Sequence, residues 1–233
     1  MGLILDGLAE AIGLLFSGDP WIYEIALRTL VVSSLALAIA LLVGVPLGAG
    51  LALTLFPGRR LAIALVNTGM GVPPVVVGLV VSMFLWRTGP LGSLHLMYTV
   101  QAMVIAQVFI ATPIVAGLSL AAVQQLDPGF RLQILALGAG KLQAFRLLLR
   151  EVRVPLMAAM MAAFGGVISE VGAVMMVGGN VEGQTQVLTT GIVQQTRMGD
   201  FAAAIALGII LLVMTFATNY AMTLVQQRGR HAG

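Results

Sequence analysis

Residues 127–155 read DPGFRLQILALGAGKLQAFRLLLREVRVP, a polar stretch in an otherwise apolar chain. This stretch holds five of the twelve Lys and Arg residues of the protein. Apolar runs lie on both sides of it, and each is long enough to cross a hydrocarbon core of about 30 Å, which needs about 20 helical residues. A structured polar insertion between two membrane spans indicates a surface that docks a soluble partner.

Local signals divide the stretch into two helices. Asp127 and Pro128 form a helix start, because the carboxylate accepts hydrogen bonds from free amides and proline is pre-set for the first turn. The Gly-Ala-Gly run at residues 138–140 interrupts the pattern, since glycine adopts turn angles readily and costs about 1 kcal/mol inside a helix. The sequence predicts one helix up to about residue 137 and a second from about Lys141 towards Pro155.

Three arginines of the second helix have helical spacing. Arg146, Arg150 and Arg153 fall at i, i+4 and i+7, which predicts that they share one face. Such a face suits lipid phosphates or an acidic rim on a partner. The alternative is an ordinary basic loop, since clustered Lys and Arg mark the cytoplasmic side of most inner-membrane proteins.

The composition places the chain in a membrane. Hydrophobic residues make up 59% of the 233 residues, and charged residues make up only 9%. Because lipid cannot satisfy free backbone groups, we expect an all-α polytopic helical bundle, with residues 1–233 forming one transmembrane domain. The five predicted spans are Ile25–Phe56, Leu61–Trp86, Tyr98–Leu126, Val154–Val177 and Phe201–Val225.

The basic residues predict the orientation. The five predicted spans put residues 127–155, the Arg59–Arg60 turn and the C-terminal tail on the same side of the membrane. That side then holds nine of the twelve Lys and Arg residues. The excess of Lys and Arg marks the cytoplasmic side, so the N-terminus is expected outside and the C-terminus inside a prokaryotic cytoplasmic membrane. The first 16 residues contain no Lys or Arg and lack the basic region of a cleaved signal peptide. We expect them to form a short amphipathic helix that is retained.

The chemistry that the sequence lacks narrows the function. The spans leave no soluble domain of useful size, so any ATP-driven chemistry must come from another chain. The chain has no cysteine, which excludes disulfides and thiolate metal sites. Neither a metal-ligand cluster nor a GxxxxGK phosphate loop is present, so we expect no cofactor, no metal and no catalytic residue. The net charge of +3 follows from the cytoplasmic bias and does not indicate nucleic-acid binding.

The polar stretch resembles the cytoplasmic loop of ABC importer permeases, whose pattern is EAA, three residues, Gly, and later hydrophobic-x-hydrophobic-Pro. Leu137, Gly138 and Ala139 match the central LGA, and residues 152–155 (VRVP) match the ending. The stretch departs from the pattern in two ways. Residues 132–134 (LQI) occupy the EAA positions. Thirteen residues separate Gly138 from Val152, where the usual pattern has nine. Four extra residues make about one helical turn and keep the same face.

The resemblance implies partners for this chain. It implies a homodimer with the pathway on its two-fold axis, ABC ATPase subunits on the cytoplasmic side and an extracytoplasmic oxyanion-binding protein. In that family the short helix before and through the glycine, called the coupling helix, sits in a groove on the ATPase. The residues that the resemblance assigns to ATPase coupling are Phe130, Arg131, Leu132, Ile134, Leu137, Gly138, Ala139, Gly140, Lys141, Ala144 and Phe145.

A second stretch carries a narrower resemblance. Residues 169–192 read SEVGAVMMVGGNVEGQTQVLTTGI and are similar to the same region of oxyanion importer permeases for molybdate, tungstate and sulfate. The segments EVGAVMMVGGN at 170–180 and MGDF at 198–201 look most like those of the tungstate-type permeases. The segment VPPVVVG at 72–78 resembles the double-proline second span of this group. The resemblance implies the type I importer permease fold and tungstate as cargo. Molybdate and sulfate remain alternatives, since the tungstate and molybdate dianions have nearly the same size and charge.

Two features predict the translocation path. Glu170 is an acid deep in a span, and an intramembrane carboxylate is functional by default. It either pairs with a Gln or Thr of a neighbouring helix or gates the path by weak repulsion of the dianion. Pro73 and Pro74 remove two backbone donors and predict a bend, which is either structural or part of a gate. The residues predicted for the path or gate are Pro73, Pro74, Glu170, Gly172, Met176, Asn180, Thr185 and Gln186.

Smaller signals concern packing and turns. Gly44 and Gly48 form a small-xxx-small pair that favours close helix approach. The glycines and Asn180 within residues 178–183 predict an external turn.

Two other functions compete with an importer subunit. A secondary carrier commonly shows internal repeats and charged or discontinuous spans, and no repeat is evident here. An integral membrane enzyme needs clustered nucleophiles, bases or metal ligands, which this sequence lacks. Association with an ATPase and a binding protein distinguishes the importer from both.

Overall fold

The computed structural model describes residues 2–230, except for the side chains of residues 2–6, 10, 15, 128, 131, 135, 141 and 228–230. The predicted coupling side chains of Arg131 and Lys141 therefore lie outside the described part. Within it, the chain forms α-helices and one short 3₁₀ turn, Gly92–Leu94, and no strand. The helices are α1 (Gly2–Phe16), α2 (Pro20–Leu53), α3 (Arg59–Met70), α4 (Pro74–Leu85), α5 (Val100–Gln124), α6 (Pro128–Ala136), α7 (Lys141–Glu151), α8 (Arg153–Ile168), α9 (Gly172–Gly178), α10 (Leu188–Met198) and α11 (Phe201–Arg230).

By length and composition the described helices allow three to five spans, a range that includes the five predicted. In the described range three helices, α2, α5 and α11, are long and apolar enough to cross a membrane, and the number rises to five if each of two bent helix pairs is one span. The bent pairs are α3 with α4, at 104°, and α7 with α8, at 74°. Because α7 carries the exposed Arg146 and Arg150, we assign the fourth span to α8 and α9 instead of α7 and α8.

Helices α2 and α5 form the central pair of the bundle. A Cβ atom on Gly48 would overlap the Ala116 carbonyl oxygen and lie 2.9 Å from the Leu120 nitrogen. A Cβ atom on Gly44 would lie 2.8 Å from Val115 Cγ1. The predicted close approach at this small-residue pair is confirmed, and it brings the two backbones into contact.

The bundle has two ends, which we name by their connections. The loop end contains residues 54–58 with α6 and α7, and there Phe145 packs against a core that includes Ala49, Val123 and Val152. The turn end contains the α4–α5 connection, residues 86–99, and the α9–α10 turn, residues 179–187. These two connections meet at Tyr98, whose ring lies against Gly179 and whose N–H donates to the Val177 carbonyl of α9 at 2.9 Å.

The two predicted helices of the polar stretch are confirmed as α6 and α7. The Gly129 N–H donates to Asp127 Oδ1, so the expected cap forms. The arrangement of the three arginines differs from the prediction, because α7 ends at Glu151 and Arg153 begins α8 after the bend. Pro155 has no N–H for the Glu151 carbonyl, which favours a bend at this point.

The region after the fourth span differs most from the sequence prediction. The sequence predicted an external turn after the fourth span and no helix between that turn and the last span, but the structure has α10 there. The Val187 N–H donates to Thr190 Oγ1 at 3.1 Å and starts α10, which ends at Gly199 with φ of 81°. Its Thr and Gly residues have low helix propensity, and packing against α11 overrides that preference.

Substitution at Gly48 tests the α2–α5 contact. We expect Gly48→Ala to destabilise the protein by about 1 to 3 kcal/mol, because the new methyl group overlaps the α5 backbone. The measurement is the thermal unfolding midpoint in detergent. Gly50→Ala is the matched control, since a Cβ atom there meets nothing within 4 Å and helix propensity favours alanine by about 0.5 to 1 kcal/mol. Equal unfolding midpoints for the two variants would contradict the close crossing.

Candidate functional site

The second span is broken at residues 71–73. Helix α3 ends at Met70, and α4 begins at Pro74 with Pro73 as its cap. The Pro73 carbonyl accepts from the Val76 N–H at 2.9 Å and the Val77 N–H at 3.4 Å. The predicted bend is therefore confirmed as a full break, because the prolines have no donors to continue α3.

The fourth span is broken at residues 169–171. Glu170 Oε1 accepts from the Ala173 N–H at 3.0 Å, and the Glu170 carbonyl accepts from the Thr189 hydroxyl at 2.8 Å. The predicted threonine partner is thus present, but it contacts the backbone of Glu170. The carboxylate itself caps the start of α9 and satisfies an amide that lipid could not.

The two breaks lie against each other. A Cβ atom on Gly172 would lie 2.6 Å from Val75 Cγ2, and a Cβ atom on Gly78 would lie 2.7 Å from Ala173 Cα. Helices α4 and α9 are therefore packed backbone against backbone immediately after their breaks. This unit, residues 71–78 with residues 169–178, is called the paired break below.

The paired break lies beside the middle of α5. Gln107 Nε2 donates to the Val167 carbonyl at 2.9 Å, and a Cβ atom on Gly69 would lie 2.9 Å from Pro113 Cβ. Both broken spans are thus anchored to one continuous helix.

A narrow polar cleft borders the second break. Thr29 and Ser33 of α2, Gln107 of α5, Glu170 and Thr189 line it. Within the described residues, Ser33 Oγ and Gln107 Oε1 are buried without a hydrogen-bond partner. Buried polar groups normally find partners, so this cleft is a place where side chains can exchange hydrogen bonds when the helices move.

The α9–α10 turn is held by its own polar side chains. Thr185 Oγ1 donates to the Gly178 carbonyl at 2.6 Å and accepts from the Val181 N–H at 2.9 Å. Gly179 and Asn180 have φ of 71° and 50°, in the left-handed region. The predicted turn is therefore confirmed, and the buried Thr185 side chain holds its two ends together by these hydrogen bonds.

Gln186 connects this turn to α2 and α10. Its Oε1 accepts from Trp21 Nε1 at 3.1 Å, and its Nε2 donates to Gln194 Oε1 at 2.8 Å. Asn180 Nδ2 donates to the same oxygen of Gln194. Gln186 is fully buried, so its contacts tie the α9–α10 turn to α2 and α10.

Arg28 is a second anchor of the turn on α2. Its guanidinium donates at 2.9 Å to the carbonyls of Gln186 and Gly183 and lies 4.0 Å from Glu24. The sequence analysis did not assign Arg28, Trp21 or Gln194 to the site. The available signal was a basic residue inside an apolar helix, which needs polar partners.

The predicted coupling residues divide into two groups. Leu132 and Leu137 are 68% and 87% exposed, whereas Ile134 is buried and Phe145 packs into the core at the loop end. Gly138, with φ of 77°, turns the chain between the two helices. The loop end thus presents apolar side chains outside the spans, and large exposed apolar groups in such a position mark an interaction surface.

Five more residues of the two predicted sets differ in exposure. Phe130, Ala139, Ala144 and Met176 are partly buried, and Gly140, which begins α7, is exposed.

The sequence matches a protein-family model and related permeases. Residues 44–231 match the model of the binding-protein-dependent transport system inner membrane component. The chain is 42% identical to the tungstate uptake system permease protein of Peptoclostridium acidaminophilum, over 97% of this chain and 100% of that protein. It is 33% identical to the protein of the same name from Campylobacter jejuni, over 93% of this chain and 91% of that one.

The fold matches a solved importer. The MetNI methionine ABC transporter in inward-facing conformations aligns with a TM-score of 0.74 at 20% identity, over 91% of this chain and 98% of that one. This likeness shows the type I importer permease fold, as the sequence led us to expect. The chain therefore belongs to the family of binding-protein-dependent transport system inner membrane components.

Proposed function

We propose that this chain is the membrane subunit of an ATP-driven importer for a tetrahedral oxyanion, and that its cargo is tungstate. The observation that carries the proposal is the α6–α7 unit, whose inner residues anchor it to the bundle while Leu132 and Leu137 stay exposed. The cargo rests on relatives named as tungstate permeases, with molybdate as the close alternative.

The partners follow from this arrangement. The exposed apolar turn at the loop end sits in a groove on a separate ATPase chain in the cytoplasm, and the turn end faces an extracytoplasmic binding protein. A second copy of the chain completes the pathway around a two-fold axis. The chain itself carries no cofactor and no catalytic residue, and the ATPase supplies the hydrolysis.

The paired break is the moving part of the proposed gate. Helix α8 runs without interruption from the bend beside α7 to the break at Glu170. A shift of the α6–α7 unit on ATPase closure therefore moves α8 along its own axis and displaces the α4–α9 contact. The dianion passes when Gln186 and Arg28 release the α9–α10 turn.

Reconstitution tests the proposal directly. The chain is placed in liposomes with its ATPase and with binding protein loaded with tungstate, molybdate or sulfate, and ATP hydrolysis is measured. We expect hydrolysis to rise with tungstate-loaded binding protein. Hydrolysis that does not depend on binding protein, or failure of the ATPase to associate with the chain, would overturn the importer and favour a secondary carrier.

The glycine turn provides a matched pair of variants. Gly138→Val forces a branched side chain into the left-handed region, at a cost of about 1 to 2 kcal/mol, and is expected to abolish stimulation by loaded binding protein. Gly140 has φ of −65°, and neither glycine has an atom within 4 Å of a built Cβ. Gly140→Val should therefore retain stimulation. Equal loss in both variants would argue against a specific role for the turn.

Two substitutions of Glu170 distinguish its role as a helix cap from a role of its negative charge in gating. Glu170→Gln keeps an oxygen that accepts from the Ala173 N–H, so we expect normal transport and stability. Glu170→Ala removes the acceptor and should destabilise the protein by about 1 kcal/mol, as for other lost helix caps. The measurements are tungstate uptake and the unfolding midpoint. Loss of uptake in Glu170→Gln with an unchanged midpoint would instead assign the negative charge to gating.

A further inference from the structure

The α4–α5 connection folds into a pocket at the turn end. The pocket has a volume of about 480 Å³. The side chains in its wall that carry polar atoms are Trp86, Arg87, Thr88, His95 and Tyr98. Its wall shares no residue with the paired break or with the contacts around Gln186, although Tyr98 touches the end of α9, and none of the functions above uses it.

The wall of the pocket is rich in hydrogen-bond donors. Indole, guanidinium, hydroxyl, imidazole and phenol groups each offer an N–H or O–H. All five side chains are exposed, and within the described part of the chain none of them makes a hydrogen bond or an ion pair, so each can reach a ligand or water. Residues 86–99 contain no Asp or Glu, so no carboxylate of this connection neutralises Arg87 or repels an anion.

The connection is built compactly around this wall. A Cβ atom on Gly89 would overlap the Met83 carbonyl, and one on Gly92 would lie 2.5 Å from the Arg87 carbonyl. The Leu91 N–H donates to the Phe84 carbonyl at 2.9 Å and folds the connection back onto α4. Only glycine permits such close backbone approach, so the pocket wall is held in place by main-chain contacts.

Two residues of the wall have a left-handed backbone. His95 has φ of 50° and Tyr98 has φ of 63°. This region is unfavourable for a bulky residue such as Tyr98, whereas histidine adopts it more readily, and backbone strain clusters at ligand sites. The Tyr98 ring lies against Gly179, and its N–H is bound to Val177. Both constraints turn the Tyr98 side chain to its place beside Trp86, with ring centroids 6.4 Å apart.

We infer that this pocket binds a tetrahedral oxyanion group, with Arg87 supplying the charge and its neighbours supplying neutral donors. Arginine suits such ligands because its fork of N–H groups matches two oxygens at once. Two sources offer this chemistry. One is a free oxyanion at the outer face, and the other is the phosphate of a lipid headgroup, since Trp, Tyr and Arg at a span end also lie at the membrane interface.

Trp86 provides a reporter inside the pocket. The chain has two tryptophans, so an emission change that Trp86→Phe abolishes is assigned to Trp86. The full-length chain is placed in nanodiscs of phosphatidylcholine and titrated with molybdate against sodium chloride of equal ionic strength. In the second arm, phosphatidylglycerol replaces part of the phosphatidylcholine and no molybdate is added.

A saturable change in Trp86 emission is expected in one of the two arms, and the arm identifies the source. Arg87→Gln should weaken the response about tenfold or more, the size expected for one lost charge-assisted contact. Arg197→Gln is the matched control, because Arg197 is also exposed and lies outside the pocket. An unchanged unfolding midpoint shows that each variant is folded.

Two results would overturn the inference. The first is the absence of a saturable change in both arms. The second is a response that Arg87→Gln and Arg197→Gln weaken equally, since that would reflect general surface charge. The assay uses the permease without ATPase or binding protein, so its outcome does not depend on the proposed transport function.

Discussion

The hydrocarbon interior of a membrane offers no hydrogen-bond partners, so every break in a spanning helix must be satisfied by the protein itself. This chain breaks two of its spans and meets the constraint differently at each. At the first break the Pro73 carbonyl accepts the early amides of α4. At the second break the Glu170 carboxylate accepts one from α9, and Thr189 supplies a donor to the Glu170 carbonyl. On this single chain, Gly71, Pro73 and Ser169 of the two breaks are nevertheless exposed.

Placing the breaks against each other links the two ends of the bundle. Helix α8 leads from the loop end to the second break, and α9 leads from that break to the turn that Thr185 and Gln186 hold. Glycine at 172 and 78 allows α4 to follow α9 at backbone distance. A displacement at the loop end therefore has a continuous packed route to the turn end, as a permease that alternates its access requires.

The sequence predicted the parts of this arrangement that depend on local chemistry. Asp127 with Pro128, and the glycines that follow, specify α6 and α7 without help from the rest of the chain. Pro73 and Pro74 likewise determine a bend. The parts that depend on tertiary contacts were not predictable: α10 forms although it contains Thr and Gly residues of low helix propensity, with α11 packed beside it, and the anchoring of Gln186 needs Trp21, 165 positions away in sequence.

Disulfide formation across the paired break is the most direct test that the two broken spans meet. The chain contains no cysteine, and a Cβ atom on Gly172 would lie 3.7 Å from Val75 Cβ, within the range of about 3.5 to 4.5 Å that disulfides need. Val75→Cys with Gly172→Cys should lose almost all maleimide labelling after mild oxidation in membranes. Val80→Cys with Gly172→Cys, which places the first thiol further along α4, should remain labelled. Full labelling of the first pair after oxidation would contradict the paired break and the coupling route built on it.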